Sequence, residues 1–371
     1  MGVDDFLYRR VARPLLFRLN PDFIHDVMLD LGEFSGNFSF LRAAIGLVYR
    51  YRGPDISKVV DGVRYELPVL LSAGFDADGR LTRVLRDVSF GGEEIGSTTA
   101  HACSGNPKPR MVRLVRNKSL IVNKGLRNHG VDALIARLKR TPRVPGYVIG
   151  ISIARTNLRA SCIDVEAGIE DFVTSFRKLN EAGIGDYYTI NISCPNTFDG
   201  EGFTEPKNLS LLLSRLKAIP CAKPVYLKMP INKTWEEFDE LCRIADENGI
   251  RGLVIGNLNK DYKELKYHDE FAKKAIKNNG SVYQPGVPQE YRGGLSGTPC
   301  FERSNDLIRK TREKYGSRFT IIGCGGILTP KQAMEKLDAG ADLLMLISGM
   351  IFETPGLMRN ICYEYAKRVG A

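Results

Sequence analysis

From residue 69 to the end of the chain, short apolar runs alternate with amphipathic stretches. The runs span 69–73, 93–97, 147–153, 187–193, 224–229, 252–256, 319–323 and 343–347. Most close at once on Gly, Ser, Asn or Pro, the pattern of buried parallel strands opening into loops. Between several of them, apolar positions recur at helical spacing over 131–140, 167–182, 235–248, 301–315 and 329–339. The last of these opens on Thr329-Pro330, an N-cap residue followed by a proline at the first helical position. Eight such units in series predict an α/β fold, a (β/α)8 TIM barrel with its working residues at the C-terminal strand ends. A doubly wound open sheet competes, but it does not require eight units in a row.

The first fifty residues follow another pattern. Phe6-Leu7-Tyr8, Pro14-Leu15-Leu16-Phe17 and Ile45-Gly46-Leu47-Val48-Tyr49 are interleaved with Arg9, Arg10, Arg13, Arg18, Arg42, Arg50 and Arg52. Such mixing at helical spacing suits helices lying in a membrane interface, with guanidinium heads near lipid phosphates. It suits equally a helical cap packed on the main domain. No stretch reaches the roughly 18 apolar residues of a spanning helix. The expected organisation is therefore an N-terminal helical extension over 1–53 and a barrel over 54–371.

Composition narrows the function. The chain has 371 residues, 43% of them hydrophobic, with a formal charge of +10 and a pI near 9.1. Its Lys and Arg residues are scattered and no zinc-finger spacing occurs, so nucleic acid is not an expected partner. Eight cysteines, at 103, 162, 194, 221, 242, 300, 324 and 362, form no C-x-x-C pair. They read as reduced thiols in a cytosol-like compartment, giving a cytoplasmic protein held peripherally at a membrane. Four histidines, at 25, 101, 129 and 268, do not pair at ligand spacing, and no metal site is expected.

The densest chemistry follows the fourth strand, in Asn191-Ile192-Ser193-Cys194-Pro195-Asn196-Thr197. A side-chain amide both donates and accepts, so two of them can read the edge of a flat, amide-rich ring while the thiol takes a proton from it. The competing reading is a buried cysteine followed by an Asn-Pro-Asn turn. Lys228 ends the fifth strand, where a buried cation needs an anion or a developing negative charge. Gly323-Cys324-Gly325-Gly326 and Ser348-Gly349 follow the last two strands, where barrels commonly hold a phosphate. Gly293-Gly294-Leu295-Ser296-Gly297 adds a glycine loop; Ser193 and Ser296 read as turn residues. The polar stretch 259–291, with His268, reads as a lid or loop.

Taken together, Ala73-Gly74-Phe75-Asp76, Gly105-Asn106-Pro107-Lys108-Pro109-Arg110, Asn191 to Thr197, Lys228, Gly293 to Gly297 and Gly323 to Ile327 resemble the dihydroorotate dehydrogenase family of FMN-dependent barrels. The likeness runs through almost the whole chain. Phe17-Arg18-Leu19-Asn20-Pro21, His25 and Arg113 resemble the membrane-associated, quinone-reducing class. The resemblance implies FMN held by Ala73, Gly74, Ser97, Ser152, Asn191, Lys228, Gly297, Gly326, Ser348 and Gly349. It also implies a small cyclic substrate facing Asn191, Asn196 and Asn257, Cys194 as catalytic base, and a quinone or other electron acceptor.

Three departures accompany it. Cys194 stands where the quinone-reducing class has serine. The lysine for the substrate carboxylate is absent, its two family positions being Ala77 and Gly96 here. A substrate-facing asparagine is matched by Val122, with Asn123 adjacent; Lys124, Arg127 and His129 are new in that turn. Lys124 or Arg127 would restore the missing cation. The expected function is FMN-dependent oxidation of dihydroorotate or a related ring. The alternatives are a dehydrogenase or ene-reductase of the same family acting on another substrate, and a flavin-binding membrane-surface protein without turnover.

Overall fold

The computed structural model describes residues 3–158, 164–198, 200–270 and 293–371. Strands are numbered in chain order. A hairpin of β1 (Lys58–Val60) and β2 (Val63–Tyr65) precedes the barrel. The barrel strands are β3 (Val69–Leu71), β4 (Gly92–Thr98), β7 (Val148–Ile153), β8 (Tyr187–Asn191), β9 (Val225–Met229), β10 (Gly252–Ile255), β12 (Thr320–Cys324) and β13 (Leu343–Leu346). They close in that order, each parallel to the next, with β13 returning to β3. All eight expected strands are present, with ends shifted by two residues at most.

Strand parity sorts the side chains, because successive residues point to opposite faces. Leu70, Val148, Tyr187, Tyr226, Val254, Ile322, Leu343 and Met345 form one buried cluster inside the barrel, closed below by Val60 and Tyr65 of the hairpin. Gly150 leaves room for the Tyr187 ring there: a Cβ at 150 would lie 2.0 Å from it. Their neighbours Leu71, Ile149, Tyr188, Leu227, Leu253, Ile321 and Leu344 face outward onto helices. Those helices bring Phe172, Phe176, Leu212, Phe238 and Ile308 to the same core. Truncating a ring such as Phe172 to alanine would cost about 3–5 kcal/mol. Continuing the inward parity upward places Ser72, Glu94, Ser152, Thr189, Asn191 and Lys228 above the tyrosine layer, where polar groups meet one another.

Helices start where side chains satisfy the first backbone N–H groups. Thr234 and Glu237 make a reciprocal capping box before Trp235–Glu247, and Thr329 caps Pro330–Asp338 through Gln332 N. Helices Pro206–Lys217 and Leu357–Val369 also form, beyond those expected. So does a small antiparallel sheet of β5 (Met111–Leu114), β6 (Ser119–Val122) and β11 (Gly294–Leu295). The expected lid over 259–291 lies outside the described residues from 271 onward. Its first part packs on the β5–β6 turn, where Glu270 accepts from Arg116 N and Asn117 N.

The N-terminal segment is helical through Val3–Leu7, Tyr8–Ala12, Arg13–Leu16, Pro21–Asn37 and Ser39–Tyr49. Asn20 caps the longest helix by accepting from Asp22 N at 2.8 Å. The arginines expected at lipid phosphates are partly otherwise engaged. Arg9 pairs with Glu353 at 3.0 Å, and Arg13 donates to the Phe352 carbonyl. The segment docks on the barrel through these polar contacts and through apolar ones: Leu29 joins the outer core with Ile45 against it, and Phe17 packs edge-on against Phe352 at the end of the helix that follows β13. Its other face is apolar and exposed: among the described residues, thirteen of the nineteen exposed large hydrophobic residues lie before residue 50, Phe6, Leu15, Phe23, Phe34, Phe40 and Leu47 among them. No helix among the described residues is long and apolar enough to cross a membrane.

Candidate active site

The C-terminal strand ends open into a cavity of about 470 Å³ that extends beneath the N-terminal helices. Its inner wall is polar. Lys228 Nζ lies 3.1 Å from Glu94 Oε1 and 3.4 Å from Ser72 Oγ, and Thr189 Oγ1 donates to Glu94 Oε2 at 2.7 Å. Burial is the largest influence and opposes the Lys228 charge, but Glu94, Cys324 and Cys194 together bring the ammonium above its ordinary value. The anion that Lys228 needs is therefore already in the barrel.

Above this pair, Asn191 Nδ2 donates to Ser97 Oγ at 2.8 Å, and Ser97 shares a 2.7 Å hydrogen bond with Ser152. Ser97 and Asn191 line the cavity, as do Ala73, Gly74, Gly297, Gly326, Ser348 and Gly349; Ser152 stands behind Ser97 and off the wall. Gly74 has φ +108°, and a Cβ there would meet nothing within 4 Å. Its backbone thus presents an open ledge to a flat ring. Ser296, read from sequence as a turn residue, shares a 2.8 Å hydrogen bond with Ser348 and also lines the cavity.

Cys194 opens onto the same space. Burial pushes its thiol up to about 11, against weaker lowering by the backbone N–H at Asn196 and the charge of Lys260. Asn257 donates to both the carbonyl and the hydroxyl of Ser193 at 2.8 Å, fixing the loop that carries the thiol. Asn196 donates to the Val122 carbonyl at 2.9 Å, while its Oδ1 is buried with no hydrogen-bond partner among the described residues. A buried acceptor left free is costly, so this oxygen is poised for an N–H donor from a ligand. Asn106 supports the loop by donating to the Asn196 carbonyl at 2.9 Å and to Asn123 Oδ1 at 2.9 Å. The sequence reading had Asn106 only within a motif; its place beside proline in an Asn-Pro turn was the available signal.

The departures take up distinct positions. Gly96, with φ +118°, has no room for a side chain, since a Cβ would lie 2.6 Å from the Ser152 carbonyl oxygen. Ala77 and Val122 line the cavity with apolar groups, and Asn123 lies off the wall, accepting from Asn106. Lys124 reaches across to the loop that carries Ala77: its Nζ is 2.9 Å from the Gly74 carbonyl and 2.9 Å from His25 Nε2. Burial lowers Lys124 to about 8, and burial with the Lys124 charge lowers His25 to about 4, so the imidazole is neutral at pH 7. Arg127 lines the cavity but lies 3.6 Å from Asp26, half exposed, and His129 pairs with Asp78 at 2.9 Å. Arg113 donates to the Leu19 carbonyl at 2.8 Å and stacks 4.7 Å from the Phe17 ring centre. No cluster of metal-ligating side chains occurs among the described residues.

The sequence and the architecture both have known counterparts. A family profile described as dihydroorotate dehydrogenase matches residues 56–369. A protein of Thermosynechococcus vestitus named dihydroorotate dehydrogenase (quinone) is 33% identical, over 97% of this chain and 96% of its own length. One of the same name from Christiangramia forsetii is 32% identical, over 96% of this chain and 97% of its own. The crystal structure of the Eimeria tenella dihydroorotate dehydrogenase in complex with ferulenol superposes with a TM-score of 0.73 at 22% identity, covering 94% of this chain and 92% of that one. That likeness supports the barrel with its helical N-terminal region.

Proposed function

Because the chain belongs to the dihydroorotate dehydrogenase family, we propose that it oxidises dihydroorotate on FMN and hands the electrons to a quinone. The observation that carries this reading is one continuous cavity. It joins Cys194, Asn191 and Lys228 at the strand ends to Phe17, Pro21, Met28 and Gly32 of the N-terminal helices. A site for the ring and a path for a hydrophobic acceptor thus share one space.

The residues fit a flavin: an open glycine ledge at Gly74, a row of donors in Ser97, Asn191 and Lys228, and glycine turns at the ends of β12 and β13. FMN, when bound, supplies the acceptor for the two electrons that leave the substrate. The protein's own part is proton chemistry and positioning. Cys194 Sγ takes the proton from the ring carbon next to the carbonyl, and it can do so only as thiolate. General-base help of this kind is typically worth about two to four powers of ten in rate. The free Asn196 Oδ1 accepts an N–H of the ring, and Asn257 keeps the thiol loop in register. Lys124 supplies the cation for the carboxylate in place of a lysine at Ala77, since its ammonium already lies against the same loop. Titrating orotate against the flavin absorbance tests this. Lys124→Ala should weaken orotate binding by a large factor and Arg127→Ala should leave it near parental; equal effects overturn the assignment.

A second reading keeps the enzyme class and changes the substrate. It is favoured by Lys124 already being engaged by Gly74 and His25, and by the apolar Ala77. Absence of orotate binding together with flavin reduction by another cyclic carbonyl compound would select it. The division into an extension over 1–53 and a barrel over 54–371 belongs to the same proposal, as does a cytoplasmic, peripheral attachment to the membrane. Support comes from the exposed apolar face of the N-terminal helices. Sedimentation with phospholipid vesicles tests it: protein that stays in the supernatant refutes attachment.

A further inference from the structure

Lys336 is a fully buried lysine that the chemistry above does not use. It lies on the helix Pro330–Asp338 that follows β12, with no exposed surface. Its Nζ donates to Ser304 Oγ at 2.7 Å and Asn305 Oδ1 at 2.6 Å, and sits 5.2 Å from the centre of the Phe301 ring. Both partners are neutral. Among the described residues no carboxylate lies within ion-pair distance of it. A buried ammonium without a counter-charge is costly, and native folds seldom keep one unless a bound anion or a proton equilibrium answers it.

Phe301 and Ser304 also support the glycine turn after β12. A Cβ at Gly326 would lie 2.5 Å from Phe301 Cβ, and one at Gly325 would lie 3.4 Å from Ser304 Oγ. The Lys336 stem runs along Gly323, where a Cβ would meet its Cδ at 2.8 Å. Ser304 and Phe301, with Cys300 beside them, therefore form one layer between the ammonium and the turn, whose other side faces the cavity. Gly325 and Gly326 have φ of +95° and +73°, which lets their backbone approach an anion closely.

We propose that Lys336 is the counter-charge behind the phosphate subsite, stabilising the FMN phosphate through the Ser304 and glycine-turn layer without touching it. The inference rests on the flavin reading above. It makes Lys336 a positioning residue whose effect follows the phosphate and not the ring. The groups facing it are few: Glu302, Ser304, Asn305 and the Phe301 ring from the helix Phe301–Tyr315, Cys300 just before it, and Cys324 from β12. The Cys300 thiol is itself pushed up to about 12 by burial, so it brings no charge at neutral pH. Burial lowers Lys336 to about 8, against raising by Cys324, Cys300 and Glu302. The ammonium is thus present at pH 7 and largely gone by pH 9.5.

The test compares FMN with riboflavin, which has the ring but no phosphate, by fluorescence quenching on deflavinated protein. Lys336→Met keeps the stem and removes the charge. It should weaken FMN by about tenfold or more, the size expected for opposed charges one layer apart at an effective dielectric of about 20, and leave riboflavin unchanged. In the wild-type protein the preference for FMN over riboflavin should fall between pH 7 and pH 9.5; in Lys336→Met it should not. Equal loss of both flavins overturns the proposal and makes Lys336 a packing residue. Should the variant fail to fold, the wild-type profile decides, since a pH-independent preference overturns the proposal as well. A wild-type protein that takes up neither flavin overturns the cofactor reading and this inference with it.

Discussion

Replacing Glu94 by glutamine tests the polar layer of the barrel most directly. Glu94 and Lys228 lie 3.1 Å apart, with side chains 0% and 5% exposed, so solvent screens the pair little. Glu94→Gln keeps the shape and a hydrogen bond to Thr189 but leaves the ammonium without its carboxylate. Removing one partner of such a pair costs about 3–5 kcal/mol. Lys228→Met leaves a carboxyl that can take up a proton while still accepting from Thr189, so it should cost less. The double variant removes both charges and should recover most of the Glu94→Gln loss. Denaturant unfolding of the flavin-free proteins, followed by circular dichroism, measures all four corners of the cycle. The pH dependence carries its own check. Lys228 titrates above the ordinary lysine value because Glu94, Cys324 and Cys194 together overcome the larger single effect of burial. Its contribution is therefore complete below about pH 10.4 and is lost only as pH climbs through the raised value. The parent should show no Lys228-linked change from pH 6 to pH 9. In Glu94→Gln the unpaired buried ammonium is pushed down, so the penalty should shrink as pH rises and the variant's lysine sheds its proton. A penalty under about 1 kcal/mol, or simple additivity in the double variant, would refute the coupling.

Three further outcomes are expected. Flavin reduction by substrate should quicken by about tenfold per pH unit between pH 6 and pH 9, because the Cys194 thiol lies near 11; Cys194→Ser should slow it by orders of magnitude at neutral pH, and an unchanged rate would leave the thiol as packing. Glu93 is buried, neither carboxylate oxygen has a hydrogen-bond partner among the described residues, and burial followed by the Asp76 charge pushes it well above the ordinary range. The unfolded chain releases that proton near pH 4.3 while the folded one holds it, so stability falls by roughly 1.4 kcal/mol per pH unit above that point; thermal melts of Glu93→Ile should gain on the parent from pH 5 to pH 7, and parallel curves would contradict this. Deleting residues 1–53 should abolish quinone-dependent turnover while single-turnover flavin reduction survives, and loss of both together would make the segment a folding cap.

Much of this arrangement is written locally. Buried parallel strands are short apolar runs, so all eight announced themselves, and the loop after β8 showed Cys194 between Asn191 and Asn196 without any fold. The helix at 206–217 carries Leu209, Leu212, Leu213 and Leu216 at helical spacing and was legible in the same terms, though it was not read. What stayed hidden is pairing. Glu94 looked like one more residue of β4, and nothing nearby marked it as the partner of Lys228, 134 residues away. The same holds for Ser152 behind Ser97, for Arg9 on Glu353, and for Lys124 arriving beside Gly74 from the far side of the cavity. Period and composition report which residues leave water, because that depends on each side chain and its near neighbours. Which polar groups then meet depends on closure of the strands into a ring and on their register, and only the tertiary structure brings those distant positions together.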